Sequence, residues 1–213
     1  MPDKTTANLA SPGGRPLVRP MVLASTSRYR RALLERLGFP FTAVAPVADE
    51  SPLPGEKPRQ TAMRLCEAKA RSVASHHRDA LIIGSDQVAD CAGEPIGKPG
   101  DRAKARTMLA MLSGKTVVFH TGVALLDTVS GRCATALVDV RSTFRGLSTA
   151  EIDAYLDREQ PFDCAGAVKS EGLGIALFEA IASDDPTALI GLPLITLTSM
   201  LRDAGVPVLA SGD

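Results

Sequence analysis

Three charged residues stand in surroundings that suit catalysis. Asp86 follows an apolar run, "ALIIG", at residues 80–84, and open α/β folds bind ligands beyond the carboxyl ends of such strands. Lys98 lies in the loop "IGKPG", and Lys69 falls on the apolar face of a predicted helix. An acid beside several cations is what phosphoryl chemistry with a divalent metal requires. Alternatively, Lys69 has no catalytic role, and its aliphatic stem packs along the edge of the core while its charge reaches solvent.

The stretch "STSRYRR", residues 25–31, gathers hydroxyl and guanidinium donors where an apolar run meets a predicted helix. The first turn of a helix has unpaired N–H groups and the positive end of the helix dipole, so phosphate binds readily there. Ser25, Ser27, Arg30 and Arg31 are the candidate donors. The same stretch is also typical of a solvated basic helix start, and its residues alone do not decide between the two.

Five segments have the periodicity and end signals of amphipathic helices. Each combines apolar residues at helical spacing with a capping residue or a proline at its start. The predicted helices follow Ser27 and end at Gly38, run from Pro58 to about Ser75, follow Asp101 and end at Gly114, follow Ser148, and run from Pro193 to Gly205.

The remaining apolar runs predict strands. Residues 21–24 and 80–84 are short and continuously apolar, as in buried strands, and residues 116–126 and 133–144 flank a turn as in a hairpin. Residues 163–182 are interpreted as glycine-interrupted strands. Because strands and helices alternate with a single hairpin, the sequence predicts a mixed α/β sheet with flanking helices.

Composition excludes several classes of function. Lysine plus arginine equals aspartate plus glutamate, 24 each, so no overall field attracts a nucleic-acid backbone. No apolar run approaches the roughly 20 residues of a membrane span, and the first twenty residues lack the apolar centre of a signal peptide. We therefore expect a cytoplasmic protein that binds neither nucleic acid nor membranes, with a disordered leader at 1–19 and a single domain at 20–208.

Metal-site and nucleotide-loop motifs of the common kinds are missing. The four cysteines form no C-x-x-C pair and the three histidines no H-E-x-x-H pattern, so we expect reduced thiols and no zinc site. The segment "SGKT" lacks the first glycine of a phosphate-binding loop and stands between a helix and a strand in the wrong order. The segment "GLGIAL" lacks the third glycine of a dinucleotide-binding fingerprint.

Seven motifs together resemble the Maf-like nucleoside triphosphate pyrophosphatases. They are "LASTSRYRRALLERLG" at 23–38, "DE" at 49–50, "EAKA" at 67–70, "GSDQV" at 84–88, "GKP" at 97–99, "CAGAVKSEGLG" at 164–174 and "IGLPL" at 190–194. They occur in order over nearly the whole chain beyond residue 20. One departure is Arg28, where the family usually has proline, and it could alter how the chain enters the helix.

The resemblance implies a Maf fold with two lobes around a cleft. It also implies hydrolysis of a nucleoside triphosphate to a monophosphate and pyrophosphate with a divalent cation, Mg²⁺ or Mn²⁺. Asp86 matches the family's catalytic aspartate, and Glu50, Lys69 and Lys98 match its conserved polar site residues. Asp86 and Glu50 would hold the metal, and whether Asp86 acts mainly as a base or as a metal ligand stays open. A homodimer is a further family-level expectation.

The resemblance places three specificity positions, which are Tyr29, Gln87 and Glu171. "SDQV" and "KSEG" are similar to the branch that hydrolyses 7-methyl-GTP, whose cationic base would be attracted by the tyrosine ring and bound by the carboxylate. Without the resemblance, Tyr29 is typical of helix packing and Glu171 of a solvated loop. The competing functions are a dTTP and UTP pyrophosphatase of the same family and a non-catalytic nucleotide-binding regulator of septum formation.

Overall fold

The computed structural model describes residues 19–209, which form a mixed sheet with helices on both faces. The strands are β1 (Met21–Ala24), β2 (Thr42–Val44), β3 (Leu81–Cys91), β4 (Glu94–Ile96), β5 (Thr116–Asp127), β6 (Cys133–Phe144) and β7 (Phe178–Ala182). The helices are α1 (Arg28–Glu35), α2 (Pro58–Ser72), α3 (Arg102–Leu112), α4 (Thr149–Glu159) and α5 (Leu194–Asp203). The mixed α/β fold and the hairpin predicted from the sequence, β5 and β6, are confirmed.

Strand order in the sheet is β2-β1-β3-β5-β6-β7, and β4 pairs with β3 as a short flap. β1 runs parallel to both β2 and β3, whereas β3, β5, β6 and β7 pair antiparallel along the rest of the sheet. The parallel part carries α1 and α2 after its strands, so the carboxyl ends of β1 and β3 open toward one cleft.

β3 is longer than the strand predicted at residues 80–84. Its parallel pairing with β1 ends at Gly84, but its antiparallel pairing with β5 continues to Asp90. The apolar run stops at Gly84 because the strand beyond it borders the cleft, where polar side chains are tolerated. Asp86 therefore lies past the end of the parallel pairing, as predicted, but within β3, which continues beyond the predicted strand end.

The glycine-interrupted strands predicted over residues 163–182 are wrong for most of that segment. It forms short 3₁₀ turns at Ala165–Ala167 and Leu173–Leu177, and only β7 is a strand. The backbone folds back on itself there: a Cβ on Gly174 would lie 2.4 Å from the carbonyl oxygen of Lys169. The glycines thus allow tight turns where the sequence suggested interrupted strands.

Three apolar clusters divide the core into the two predicted lobes. Leu34 of α1 and Leu197 of α5 pack on one face of β1 and β3, and α2 covers the other face. The third cluster joins α3 and α4 to the far ends of β5 and β6, where Phe119 and Phe144 are buried. The cleft lies between this third cluster and the first two.

The N-terminal end of the described chain is fastened to the sheet. Arg19 donates to Asp127 at 2.6 Å and to Asp79 at 3.0 Å, and this pairing holds the pKa of Asp127 far below its usual range. The rest of the predicted leader lies outside the described residues, so the domain bounds stay a prediction. Within residues 19–209, none of the helices combines the length and the apolar composition that a membrane span requires.

Candidate active site

A cleft of about 970 Å³ opens beyond the carboxyl ends of β1 and β3. Nine of the eleven predicted site residues line it: Ser25, Ser27, Tyr29, Arg30, Glu50, Lys69, Asp86, Gln87 and Lys98. These residues come from five separate stretches of the chain, so the fold brings together groups that the sequence keeps apart. Arg31 and Glu171 do not line this cleft.

A lysine bridge lies at the floor of the cleft. Lys69 Nζ is 2.6 Å from Asp86 Oδ1 and 2.7 Å from Glu50 Oε1. Lys69 is 5% exposed and Asp86 is 7% exposed, so their charges are paired in a largely desolvated place. The alternative of a lysine that carries its charge out along the core edge is therefore wrong.

Two glycines let α2 lie close enough to the sheet for this bridge to form. A Cβ on Gly84 would lie 2.1 Å from the carbonyl oxygen of Cys66, and one on Gly122 would lie 2.5 Å from that of Ala62. Any side chain at either position would push α2 away from β3 and β5. Because Lys69 sits one turn beyond Cys66 on α2, the close contact aims its ammonium at Asp86.

Glu50 is held in the cleft by cations. The hydrogen bond from Lys69 lowers the pKa of Glu50, and the charges of Lys98 and Arg30 lower it further. Glu50 is therefore ionised at neutral pH. Lys98 is exposed and lines the same cleft, and its charge acts on Glu50.

The loop that carries Glu50 is fixed by an ion pair that the sequence did not reveal. Arg64 of α2 donates from Nε and Nη2 to both carboxylate oxygens of Glu56, at 2.6 and 2.8 Å. The same Nη2 donates to the carbonyl oxygen of Ser51 at 3.1 Å. This paired hydrogen bond from Arg64 lowers the pKa of Glu56 to about 2. Since Ser51 follows Glu50, Arg64 fixes the backbone next to the bridge.

The start of α1 presents donors to the same cleft. Ser27 caps the helix by accepting from the backbone N–H of Arg30, as predicted. Arg30 Nε donates to the carbonyl oxygen of Gly191 at 2.9 Å, which leaves its Nη groups without a protein acceptor in residues 19–209. Burial lowers the pKa of Arg30, and the charges of Asp86 and Glu50 oppose that shift. A guanidinium stays charged in proteins, so Arg30 is a cation with unused donors.

Arg31 points away from these groups. Its Nε is 3.1 Å from Glu35 Oε1, in an exposed pair one helical turn apart. One residue along a helix rotates the side chain by about 100°, so Arg30 and Arg31 cannot share a face. The structure therefore brings only one of the two predicted arginines to the cleft.

A smaller cavity of about 110 Å³ adjoins the cleft and brings together the three predicted specificity residues. It is lined by Tyr29, Gln87 and Glu171, and it shares Arg30 with the larger cleft. Gln87 Nε2 donates to Thr121 Oγ1 and to two backbone carbonyls of the turn before α5, at 2.9 to 3.0 Å. These hydrogen bonds orient the Gln87 side chain so that its amide nitrogen faces Thr121 and the backbone of that turn.

The ring of Tyr29 is covered by the residue at which the chain departs from the family pattern. The guanidinium of Arg28 lies 4.7 Å from the ring centroid, and its Nη2 donates to Tyr29 Oη at 2.6 Å. Arg28 Nη2 also lies 3.9 Å from Asp163 Oδ2, in an exposed ion pair. Burial raises the pKa of Tyr29, so its hydroxyl stays protonated at neutral pH.

Two carboxylates in the cleft supply oxygen ligands of the kind that a hard divalent cation prefers. Asp86 and Glu50 converge on the same ammonium, and neither Asp86 Oδ2 nor Glu50 Oε2 has a partner among the described residues. Mg²⁺ is usually held by one or two carboxylates together with substrate phosphates and water. No cluster of three or more His, Cys, Asp or Glu side chains forms a complete metal cage in the described part of the chain. The pair fits a metal that arrives with a phosphate ligand.

The comparison with known families decides which fold family this cleft belongs to. The family model of the Maf-like proteins matches residues 20–204, which include the cleft and both lobes. The chain belongs to the Maf-like family. The resemblance that the seven motifs suggested is confirmed over nearly the whole described chain.

Three similar proteins carry the same name. A "7-methyl-GTP pyrophosphatase" from Ralstonia nicotianae is 54% identical over 90% of this chain and 98% of the relative. One with the same name from Polaromonas sp. is 54% identical over 98% of this chain and 95% of the relative. Another from Burkholderia pseudomallei is 56% identical over 88% of this chain and 89% of the relative.

Proposed function

We propose that this Maf-like protein is a nucleoside triphosphate pyrophosphatase that hydrolyses 7-methyl-GTP to 7-methyl-GMP and pyrophosphate, as a house-cleaning enzyme of the nucleotide pool. The observation that carries the proposal is the buried pair of Lys69 and Asp86, joined by the exposed carboxylate of Glu50, beside the donors of α1. Relatives 54 to 56% identical that are named 7-methyl-GTP pyrophosphatase support the choice of substrate.

The triphosphate would lie between α1 and the lysines. Arg30 has unused donors beside the cleft, and Ser25 and Ser27 place hydroxyls at the same end of α1. Lys98 would add its charge from the loop that follows β4. Cations placed around a triphosphate stabilise the charge that moves onto the leaving pyrophosphate as the bond to the α-phosphorus breaks.

Asp86 would orient the attacking water. Lys69 fixes one oxygen of its carboxylate, and the other oxygen is left to accept a proton from water directed at the α-phosphorus. The water oxygen bonds to the α-phosphorus while the bond to the bridging oxygen breaks, and that oxygen leaves with pyrophosphate. Glu50 and Asp86 would hold Mg²⁺ or Mn²⁺, which when bound would neutralise part of the phosphate charge.

The base would occupy the smaller cavity. The face of the Tyr29 ring opposite Arg28 would attract a cationic ring, and methylation at N7 makes guanine cationic. Glu171 would accept from the N1–H and the amino group of the guanine, as acidic side chains do with base-edge donors. Gln87 would line the cavity with its carbonyl oxygen, since its nitrogen is bound to the protein frame. A cytoplasmic location and a homodimer complete the proposal, and both rest on the family resemblance.

The test is the rate of pyrophosphate release by the purified protein from 7-methyl-GTP, GTP, dTTP and UTP, with Mg²⁺ and with Mn²⁺. We expect the highest kcat/KM for 7-methyl-GTP. A preference for dTTP and UTP would assign the sister activity instead. Tight nucleotide binding with no pyrophosphate released from any of the four would indicate a regulator without turnover.

A further inference from the structure

The segment that carries Glu171 is fastened to α4 by a carboxylate outside the cleft. We call residues 167–174 the Glu171 loop. Glu159, in the last turn of α4, accepts from Lys169 Nζ at 2.6 Å with one oxygen and from the backbone N–H of Leu173 at 2.7 Å with the other. One side chain therefore holds the Glu171 loop on both sides of Glu171.

A second side chain of α4 supports the start of the same loop. The hydroxyl of Tyr155, one helical turn before Glu159, donates to the carbonyl oxygen of Ala167 at 3.1 Å. It also accepts from the backbone N–H of Lys169 at 3.1 Å. Tyr155 is buried in the core of the second lobe, so the loop is tied to a rigid part of the molecule.

The backbone of the loop packs directly against the Glu159 carboxylate. A Cβ on Gly172 would lie 2.5 Å from Glu159 Oε1, so a larger residue there would displace the carboxylate from its hydrogen bonds with the loop. Gly172 directly follows Glu171, and the direction of the Glu171 side chain depends on this contact. A specificity residue on a loop needs such support, because a misplacement of about 1 Å can cost on the order of 100-fold in rate.

The ion pair also controls where the Lys169 charge goes. The hydrogen bond to Glu159, 2.6 Å long, raises the pKa of Lys169 and fixes its ammonium, and Lys169 precedes Glu171 by two residues in the same loop. An ammonium released from Glu159 would be free to turn to Glu171, the carboxylate two residues further along the same loop. It would then neutralise the acceptor that the cationic base requires.

We propose that Glu159 is a positioning residue for base selection: it sets the geometry of the Glu171 loop and keeps Lys169 off the Glu171 carboxylate. The proposal rests on the proposed function in one respect, because it takes Glu171 to contact the base. Glu159 itself does not line the cleft or the smaller cavity.

The test uses Glu159→Gln, which keeps the size of the side chain but removes its charge. Asp157→Asn is the matched control, because Asp157 lies on the same helix and pairs with Arg102 of α3, away from the loop. For wild type and both variants we would measure kcat/KM for 7-methyl-GTP and, separately, the Kd of 7-methyl-GMP and of pyrophosphate. 7-Methyl-GMP reports on the base cavity, and pyrophosphate reports on the phosphate donors alone.

We expect E159Q to lower kcat/KM for 7-methyl-GTP and to weaken 7-methyl-GMP binding by about 10- to 100-fold. Its pyrophosphate Kd should match that of wild type, and D157N should match wild type throughout. Equal binding of 7-methyl-GMP by E159Q and wild type, or an equal loss for pyrophosphate, would overturn the proposal. If E159Q does not fold, Tyr155→Phe carries the same expectation through the other attachment of the loop.

Adding Lys169→Met to E159Q separates the two roles of Glu159. If the released ammonium captures Glu171, the double variant should bind 7-methyl-GMP more tightly than E159Q alone. If the double variant binds 7-methyl-GMP no more tightly than E159Q, the proposed role of Glu159 in keeping Lys169 off Glu171 is wrong. If the wild type prefers another nucleotide, the proposed function is wrong. The same variants are then compared on the preferred nucleotide. If E159Q still discriminates between nucleotides as the wild type does, the role of Glu159 in base selection is also wrong.

Discussion

Replacing Lys69 with methionine removes the central charge of the cleft while keeping most of the side-chain volume. The ammonium currently bonds to Asp86 at 2.6 Å and to Glu50 at 2.7 Å. Without it, two carboxylates face each other and the buried oxygen of Asp86 loses its partner. We therefore expect K69M to lose both stability and turnover.

The size of the stability loss follows from the burial of the two partners. Asp86 is 7% exposed, and a hydrogen bond to a charged group contributes about 1.5 to 3 kcal/mol. The Glu50 side chain is 62% exposed and can turn to water, so its pairing adds little. A loss of about 2 kcal/mol in the free energy of unfolding corresponds to a Tm about 4 to 8 °C lower for a chain of this size. Turnover should fall by about 10²- to 10³-fold, the scale for losing one electrostatic contact in a catalytic site.

Thermal unfolding and pyrophosphate release measure these two losses, with Lys98→Met as the control. Lys98 lines the same cleft but is exposed, so K98M should lower activity without lowering Tm. The Tm difference between wild type and K69M should also narrow slightly below about pH 4. Lys69 lowers the pKa of Glu50, so the stability from that pairing is present above the unfolded glutamate pKa of about 4.3 and is lost as pH falls through the folded value. A K69M protein with wild-type Tm and turnover would refute the buried bridge.

Four further predictions concern the role of Asp86, the choice of base, the loop before α2 and the N-terminal residues. Asp86→Asn should keep the fold and lose at least about 10²-fold in kcat, the scale of a general base, and a near-normal rate would reject that role. Tyr29→Ala and Glu171→Gln should each lower kcat/KM for 7-methyl-GTP by about 5- to 150-fold, and Tyr29→Ala should affect GTP less. A common factor for every nucleotide would instead indicate support of the fold or of the phosphates. Arg64→Met should loosen the loop before α2 and lower kcat, while the Kd of 7-methyl-GMP stays unchanged; weaker 7-methyl-GMP binding would argue against this local role. Deleting residues 1–18 should leave Tm and kcat unchanged, whereas a deletion that also removes Arg19 should lower Tm, and equal Tm values for the two deletions would show that its pairing with the sheet is unimportant.

Local sequence signals predicted much of the frame that positions the site. Ser27, Asp101 and Ser148 cap their helices as expected, because a hydroxyl or carboxylate before an amphipathic stretch satisfies the first N–H groups. The position of Lys69 on an apolar helix face marked it as unusual, and the structure explains it by the bridge to Asp86. These predictions succeed because each depends on residues within one or two helical turns.

The remaining features depend on contacts that sequence spacing does not encode. Arg64 and Glu56 lie on either side of the start of α2, and nothing in their spacing shows that they fix the loop of Glu50. The glycines at 172 and 174 suggested interrupted strands, but they serve close contacts with α4 and with the loop itself. Assigning the motifs to the Maf-like family supplied what periodicity could not, namely which distant residues meet in the cleft.

The central claim is that water attacks the α-phosphorus of 7-methyl-GTP with the help of Asp86. The most direct measurement is turnover of 7-methyl-GTP by the wild-type protein in ¹⁸O-labelled water, followed by mass spectrometry of both products. We predict one labelled oxygen in 7-methyl-GMP and none in pyrophosphate, with the label appearing far more slowly for D86N. Label in pyrophosphate, release of single phosphates, or no turnover of 7-methyl-GTP would contradict the account.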